Sequence, residues 1–351
     1  MKDKITIVSI ARDLGIAPST VSRAFDPSSR ISEPVREKIL KYAESVGYVP
    51  NRAAARLSMG QIKVGVAIST HYSYGTDELL RGIKDAFDSL KDYKLTLKVV
   101  LYDNEKNSKN QYADVFKPLS DCDCLLLAGF NSDRAAEIIN SIAEHTPVAM
   151  LQSHVDGVNP LFFSTLDTAS ATVMAADVLS LALRSCPQKR VALFTGNRIY
   201  QTHAIAEREF RCACSRLGLD IIFDCDMEDS DSHLARLCDQ MPEVDGIYIT
   251  SGKSLELLKR ISKMEHKPVL ITFDIYPELG AYMENGTVNA TVYQDMYNQG
   301  HNAFTLLVRY IVDRALPPKV YMPTPQLVLP SVFKSYISPA LDKSQLDILQ
   351  L

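Results

Sequence analysis

Residues 18–25, Pro-Ser-Thr-Val-Ser-Arg-Ala-Phe, concentrate short hydroxyls and an arginine on what reads as one helix. At ~100° per helical residue, Val21, Ala24 and Phe25 share an apolar face, which leaves Ser19, Thr20, Ser22 and Arg23 outward. Short hydroxyls and a guanidinium are hydrogen-bonding groups suited to phosphates and base edges. Just upstream, Ile7, Ile10, Ala11 and Leu14 recur at i, i+3, i+4 and i+7. Thr6 is an expected N-cap there and Gly15 a left-handed stop. Two short helices joined by a tight turn at Gly15 make a helix-turn-helix, a device that lays its second helix in the DNA major groove.

The neighbouring elements must hold that helix in place. Ser32 is expected to N-cap a third helix with Pro34 in its first turn, where a missing N–H costs nothing. Its expected apolar stripe is Val35, Ile39, Tyr42, Ala43 and Val46, closed by Gly47. Asn51 can cap a further short helix over Arg52–Leu57, too short to be stable without a partner. The charge agrees: residues 1–60 carry ten Lys/Arg against six Asp/Glu, whereas the remaining 291 residues are net −8. A basic head on an acidic body is the asymmetry of a nucleic-acid-binding module joined to something else.

Ile16–Phe25, then Ile31–Leu40, then Gly47–Leu57 together resemble the headpiece of LacI-type bacterial transcription regulators, almost without gaps over roughly the first 60 residues. The resemblance implies a homodimer reading a palindromic operator in double-stranded DNA. It puts Pro18, Ser19 and Arg23 at base-reading positions. Thr20, Ser22, Asn51 and Arg52 would hold phosphates or the hinge, with Thr6 at the start of the module. Leu57 would be a lever in the minor groove, with Ala54 packed beside it, an apolar wedge of the kind that kinks a base step. One departure is Ala17, where the family usually has a capping Ser; an alanine there forgoes ~1 kcal/mol of capping. Pro18 is accordingly expected to offer apolar contact, such as with a thymine methyl, instead of a hydrogen bond.

From Ile62 onward, apolar strand-like runs alternate with amphipathic helices. The runs are Val64–Ile68, Leu95–Leu101, Cys124–Leu127, Val148–Leu151, Val191–Phe194, Ile221–Phe223, Gly246–Ile249 and Val269–Phe273, and the helices include Glu78–Leu90, Asp133–Glu144 and Ser254–Met264. Such alternation predicts α/β architecture with parallel sheets, and its length suits two Rossmann-like lobes. The motifs of common enzymes are missing. No G-x-G-x-x-G follows a strand, Thr250–Ser254 lacks the first glycine of a phosphate-binding loop, and neither G-x-S-x-G nor H-E-x-x-H occurs. The seven histidines are scattered, and the cysteine pairs Cys122/Cys124 and Cys212/Cys214 are poorly spaced for one metal. No enzymatic activity, metal or cofactor is therefore expected. The start reads as no signal peptide and no run is long enough for a membrane helix, so the expected location is cytoplasmic.

The body resembles the periplasmic-binding-protein type I effector domain of the same family, on Glu78–Phe87, Phe162–Asp167, Ile271–Asp274 and Thr291–Gly300. The resemblance assigns Phe163, Asp274 and Gln294 to effector contact, a set that suits a polyol. Asp274 could otherwise be a helix N-cap at the end of its strand. Three further positions depart from relatives that bind sugars. Tyr74 stands near a lost aromatic pair, Arg208 lies off register from the usual arginine, which falls at Ala206, and Ser251 occupies the place of an Asn-Asp pair. The expected division is a headpiece at 1–49, a hinge helix and linker at 50–61, a two-lobed effector and dimerisation domain at 62–338, and a C-terminal tail at 339–351, docked or disordered. The expected function is a transcription regulator, a repressor, controlled by a small carbohydrate-like effector. A sugar-binding transport component is the alternative, disfavoured by the headpiece and the lack of an export signal.

Overall fold

The computed structural model describes residues 5–25, 29, 31–48, 60–70, 73–103, 112–130, 132–152, 155–196, 198, 201–227, 241–252, 254–339 and 341–350. The chain divides into two compact units, Met1–Gln61 with Val308–Leu316, and Ile62–Leu307 with Pro317–Leu351.

The head holds α1 (Ile7–Leu14), α2 (Pro18–Ala24) and α3 (Glu33–Ser45). Thr6 caps α1 reciprocally: the Ser9 amide donates to Thr6 Oγ1 at 3.1 Å and the Thr6 amide donates to Ser9 Oγ at 2.8 Å. Gly15 closes α1 at φ 65°. Ala17 makes no capping bond, and Pro18 opens α2 with its φ preset. Ser32 precedes α3 as expected but makes no side-chain cap. Pro34 has no N–H to offer, and the Val35 amide already donates to the Ser32 carbonyl at 3.0 Å. The buried core is Ile10, Ala11, Val21, Ala24, Ile39 and Ala43; Val35 lies outside it, so the stripe of α3 is narrower than its spacing implied. Two polar ties fix the helices. Tyr42 donates to Asp13 at 2.9 Å, and Arg36 donates to the Ala24 and Ser29 carbonyls at 3.0 and 2.9 Å.

In the second unit, strands and helices alternate. The strands are β1 (Ile62–Ser69), β2 (Leu95–Tyr102), β3 (Cys124–Ala128), β4 (Val148–Leu151), β5 (Phe162–Ser164), β6 (Arg190–Thr195), β7 (Asp220–Asp226), β8 (Gly246–Ile249), β9 (Val269–Phe273), β10 (Ala290–Tyr293), β11 (Val320–Tyr321), β12 (Gln326–Val328) and β13 (Asp347–Gln350). The helices are α4 (Ser73–Ser89), α5 (Tyr112–Phe116), α6 (Asp133–Ala143), α7 (Thr168–Ala182), α8 (Gln201–Leu217), α9 (Leu255–Ile261), α10 (Leu279–Glu284) and α11 (Met296–Asp313), whose residues from Val308 on belong to the first unit. They form two lobes. The first has a parallel sheet ordered β11-β5-β4-β3-β1-β2-β13, the second a sheet ordered β12-β10-β9-β8-β6-β7 in which only β12 runs antiparallel. Strands β3, β4 and β8 are buried throughout, which is why their sequences are unbroken apolar runs and do not alternate.

The chain passes between the lobes after β5, β10, β11 and β12. The last passage is the C-terminal tail, which docks as β13 in parallel register on β2, from Asp347 opposite Lys98 to Gln350 opposite Leu101. Helices α4 and α11 approach at backbone distance: a Cβ added to Gly82 would lie 2.0 Å from the Tyr297 carbonyl oxygen, and one at Gly300 would lie 2.4 Å from that of Leu79. Only glycine fits there, so Gly82→Ala should lower unfolding stability by about 1–3 kcal/mol, read as a reduced urea midpoint at unchanged m-value.

Candidate functional site

On α2, Pro18, Ser19, Ser22 and Arg23 are exposed and Thr20 is half-buried, while Val21 and Ala24 face the core. The polar face expected for DNA contact is therefore presented outward. Its helix is held from behind by Arg36, whose guanidinium satisfies the Ala24 carbonyl at the C-terminal end of α2. Asn51, Arg52, Ala54 and Leu57 lie outside the described residues.

A cleft in the second unit is lined by Tyr74, Gly75, Glu78, Asp274, Ile275, Tyr293, Gln294, Met296 and Tyr336. These residues come from the first turns of α4, the carboxyl ends of β9 and β10, the start of α11, and the turn Phe333–Tyr336. The carboxyl ends of parallel strands are where open α/β sheets bind ligands, because the chain there must turn and leaves backbone and side-chain groups free to point outward. Asp274 and Asp295 both hold positive φ, at 69° and 49°. Asp tolerates the left-handed region better than most residues.

Asp274 is almost fully buried and accepts a hydrogen bond from the Gln294 amide. Its backbone is pinned on both sides: its amide donates to the Val292 carbonyl at 2.8 Å and its carbonyl accepts from Thr291 Oγ1 at 2.6 Å. Asp274 does not cap a helix, since α10 begins only at Leu279 after Glu278. Asp295 does that work at α11, accepting from the Asn298 amide at 3.1 Å. Burial raises the pKa values of Tyr74 and Tyr293 above the usual phenol range, with Glu78 and Asp295 adding to the effect, so both hydroxyls remain protonated; that of Tyr293 donates to Asp295 Oδ1 at 3.4 Å. Two carboxylates, an amide and three phenols around one cleft form a set that can accept from and donate to hydroxyl groups while an aromatic face covers apolar C–H surface.

Of the expected effector residues, the structure brings Tyr74, Asp274 and Gln294 together and leaves three apart from them. Phe163 packs half-buried against the first-lobe core. Ser251 follows β8 and is not among the lining residues. Arg208 is exposed and pairs with Glu209 at 2.8 Å, because its position on α8 turns it from the sheet. Near the carboxyl end of β7 Arg198 meets Glu207 at 2.5 Å and Asp226 at 2.9 Å, and Arg211 pairs with Asp224 and with the same Glu207. Glu78 and Tyr293 lie in segments that carried the family resemblance but were not singled out, while Arg198 and Tyr336, placed by turns, carried no sequence signal. His203 is a further one. Its Nδ1 lies 3.1 Å from Thr250 Oγ1, and its ring packs so closely on Gly196 that a Cβ there would sit 2.4 Å from Nε2.

Comparison with known proteins matches residues 6–51 to the model of bacterial regulatory proteins of the lacI family, and residues 64–315 to a periplasmic binding protein domain. The HTH-type transcriptional regulator DegA of Bacillus subtilis is 28% identical over 152 residues, covering 42% of this chain and 44% of that protein. The chain thus spans less than half the length of that relative. The HTH-type transcriptional regulator GntR of Pseudomonas aeruginosa is 24% identical over 298 residues, covering 78% of this chain and 80% of its own. Among solved structures, GanP, a glucose-galactose binding protein from Geobacillus stearothermophilus, superposes with TM-score 0.67 at 19% identity, over 78% of this chain and 99% of its own. At that identity the superposition establishes the two-lobed fold.

Burial lowers the pKa of His203 to about 4, against a smaller upward pull from Asp226. The imidazole is therefore neutral when folded near neutral pH. Since the unfolded chain binds this proton near pH ~6.5, stability should be complete above that value and fall as pH drops toward 4. Urea midpoints measured from pH 7 to 4 should show this loss, and His203→Asn should remove that part of the pH dependence.

Proposed function

Because the chain belongs to the LacI family of bacterial regulatory proteins, with a periplasmic-binding-protein domain behind its helix-turn-helix, we propose that it is a transcriptional repressor whose operator affinity is set by a small carbohydrate-like effector. The observation that carries this reading is the pairing of two features on one chain. One is an outward polar face on α2 over a closed three-helix core. The other is a cleft in the second unit with Asp274 and Gln294 at adjacent strand ends facing Tyr74 and Glu78.

Ser19 and Arg23 read base edges, Pro18 contacts a thymine methyl, and Thr6, Thr20, Ser22, Asn51 and Arg52 hold the backbone. Leu57, beside Ala54, opens a base step in the minor groove. The protein acts as a homodimer on a palindrome and works in the cytoplasm, where its DNA is. Asp274 and Gln294 bind adjacent hydroxyls of the effector and Tyr74 covers its apolar face; Phe163, Arg208 and Ser251 take no direct part in the arrangement described. The sugar-binding name of a structural neighbour and the polyol-compatible donor set both support a carbohydrate. The effector changes DNA affinity by binding one conformation of the protein better than the other, and the coupling must be reciprocal.

A DNA sequence selected from a random pool supplies the operator, and thermal-shift screening of hexoses, pentoses and their phosphates supplies the effector. Leu57→Ala should then weaken operator binding at least ~10-fold, equivalent to ~1.4 kcal/mol, with the thermal shift by effector intact; unchanged anisotropy titrations would remove the wedge role. Asp274→Asn keeps a residue tolerant of φ 69° and removes the charge. It should abolish the effector's influence on operator binding while leaving basal DNA affinity as in the wild type.

A further inference from the structure

We propose that residues 333–339 and 341–350 of the C-terminal segment form a strap that clips the second lobe to α4 of the first at the mouth of the cleft, so that the cleft opens only when the clip releases. The strap starts in the second lobe. Phe333 is 4% exposed in that lobe's core, and its ring lies 3.2 Å from where a Cβ on Gly280 would be. Tyr336 then lines the cleft itself, with its ring 5.2 Å from that of Tyr293 at 70° and its hydroxyl donating to Gln326 Oε1 at 2.9 Å. The strap ends in the first lobe as β13 on the edge of β2.

Between those anchors it meets one face of α4. Asp77, Arg81 and Lys84 recur at i, i+4 and i+7, which aligns them along the helix. Lys343 Nζ pairs with Asp77 Oδ1 at 2.6 Å. Arg81 donates to the Pro339 carbonyl, and Asp342 lies in the field of Lys84 while its carboxylate caps the Ser344 amide at 3.0 Å. An acid on the helix pairs with a base on the strap, and a base on the helix acts on an acid of the strap. The same Arg81 also reaches Glu78 in the cleft at 3.4 Å. The clip and the cleft wall thus share a guanidinium. Tyr74 faces the backbone of Ser338 from the first lobe's side.

The geometry limits motion. Tyr336 belongs to the second lobe and Pro339 is held by the first, and three residues span at most ~10 Å when fully extended. Separation of the lobes at this edge beyond that reach requires the contacts on α4 to break. The strap's influence on ligand entry rests on the cleft being the effector site; its clipping of the lobes does not.

The test uses the full-length protein without ligand. Amide hydrogen exchange is compared in the wild type, Asp77→Lys, Lys343→Asp and the double variant that swaps the two charges. Neither residue lines the cleft. Each single reversal should speed exchange in segments 274–278 and 333–339 by about 3- to 10-fold, with β3 and β8 as protected as before. The swapped pair should return both segments to within ~2-fold of the wild type. Unchanged exchange in the single variants, acceleration that the swap fails to reverse, or acceleration spread equally over β3 and β8 would each overturn the strap. Loss of the effector reading would appear instead in the Asp274→Asn binding experiment, which this measurement does not touch.

Discussion

The backbone contact between α4 and α11 is the constraint on which the rest of the second unit depends. Gly82 and Gly300 each lie where a side chain would strike the opposite helix's main chain. The contact brings the helices closer than side chains at the interface would allow. Helix α4 carries Tyr74 and Glu78 into the cleft and turns Asp77, Arg81 and Lys84 toward the C-terminal strap. Helix α11 leaves the second sheet directly after Tyr293 and Gln294 and enters the first lobe. One crossing therefore sets how the first-lobe wall of the cleft stands against the second-lobe wall.

On the second-lobe side, order comes from hydrogen bonds within the turns. Asp274 sits in a left-handed conformation at φ 69°. The Thr291 hydroxyl and the Val292 carbonyl hold its backbone, and the Gln294 amide meets its carboxylate. A buried charge needs such partners, since desolvation would otherwise favour the neutral acid. The Thr272 and Thr291 hydroxyls, 3.2 Å apart beneath the turn, extend the same network into the sheet. The carboxylate is thereby aimed at the cleft before any ligand arrives, which spares the ordering cost at binding. The first-lobe wall, by contrast, is held by helix packing and by the charges that run from Glu78 through Arg81 to the strap.

Much of the head was legible residue by residue. The i, i+3, i+4 spacing identified the buried faces of α1 and α2, and Thr6, Gly15 and Pro18 marked their ends. Local rules suffice there because the helices are short and each boundary is decided by groups within four residues. Ser32 shows where they fail, since the missing N–H of Pro34 leaves its hydroxyl without the amide that a cap would use. In the body, the fully buried strands β4 and β8, and β9 with its buried centre, coincide with their apolar runs. The tail was not legible in this way. Residues 347–350, Asp-Ile-Leu-Gln, show no period-2 alternation that would declare a strand, and what makes them one is the open edge of β2.

What the sequence determined by itself was the order of modules, the class of each and the face of α2 turned outward, because these follow from periodicity, capping and charge within short windows. The family resemblance pointed to Phe163, Asp274 and Gln294 as effector contacts, of which the cleft joins Asp274 and Gln294. Only the tertiary structure decided which groups join them. Glu78, Tyr293 and Tyr336 come from elements scattered over more than 250 residues, and their meeting depends on strand order and on a helix crossing that has no local signature. Arg208 and Arg198 differ for the same reason. Arg208 is turned outward by its place on α8, whereas Arg198 precedes that helix and is held by Glu207 and Asp226, contacts that no spacing of residues encodes.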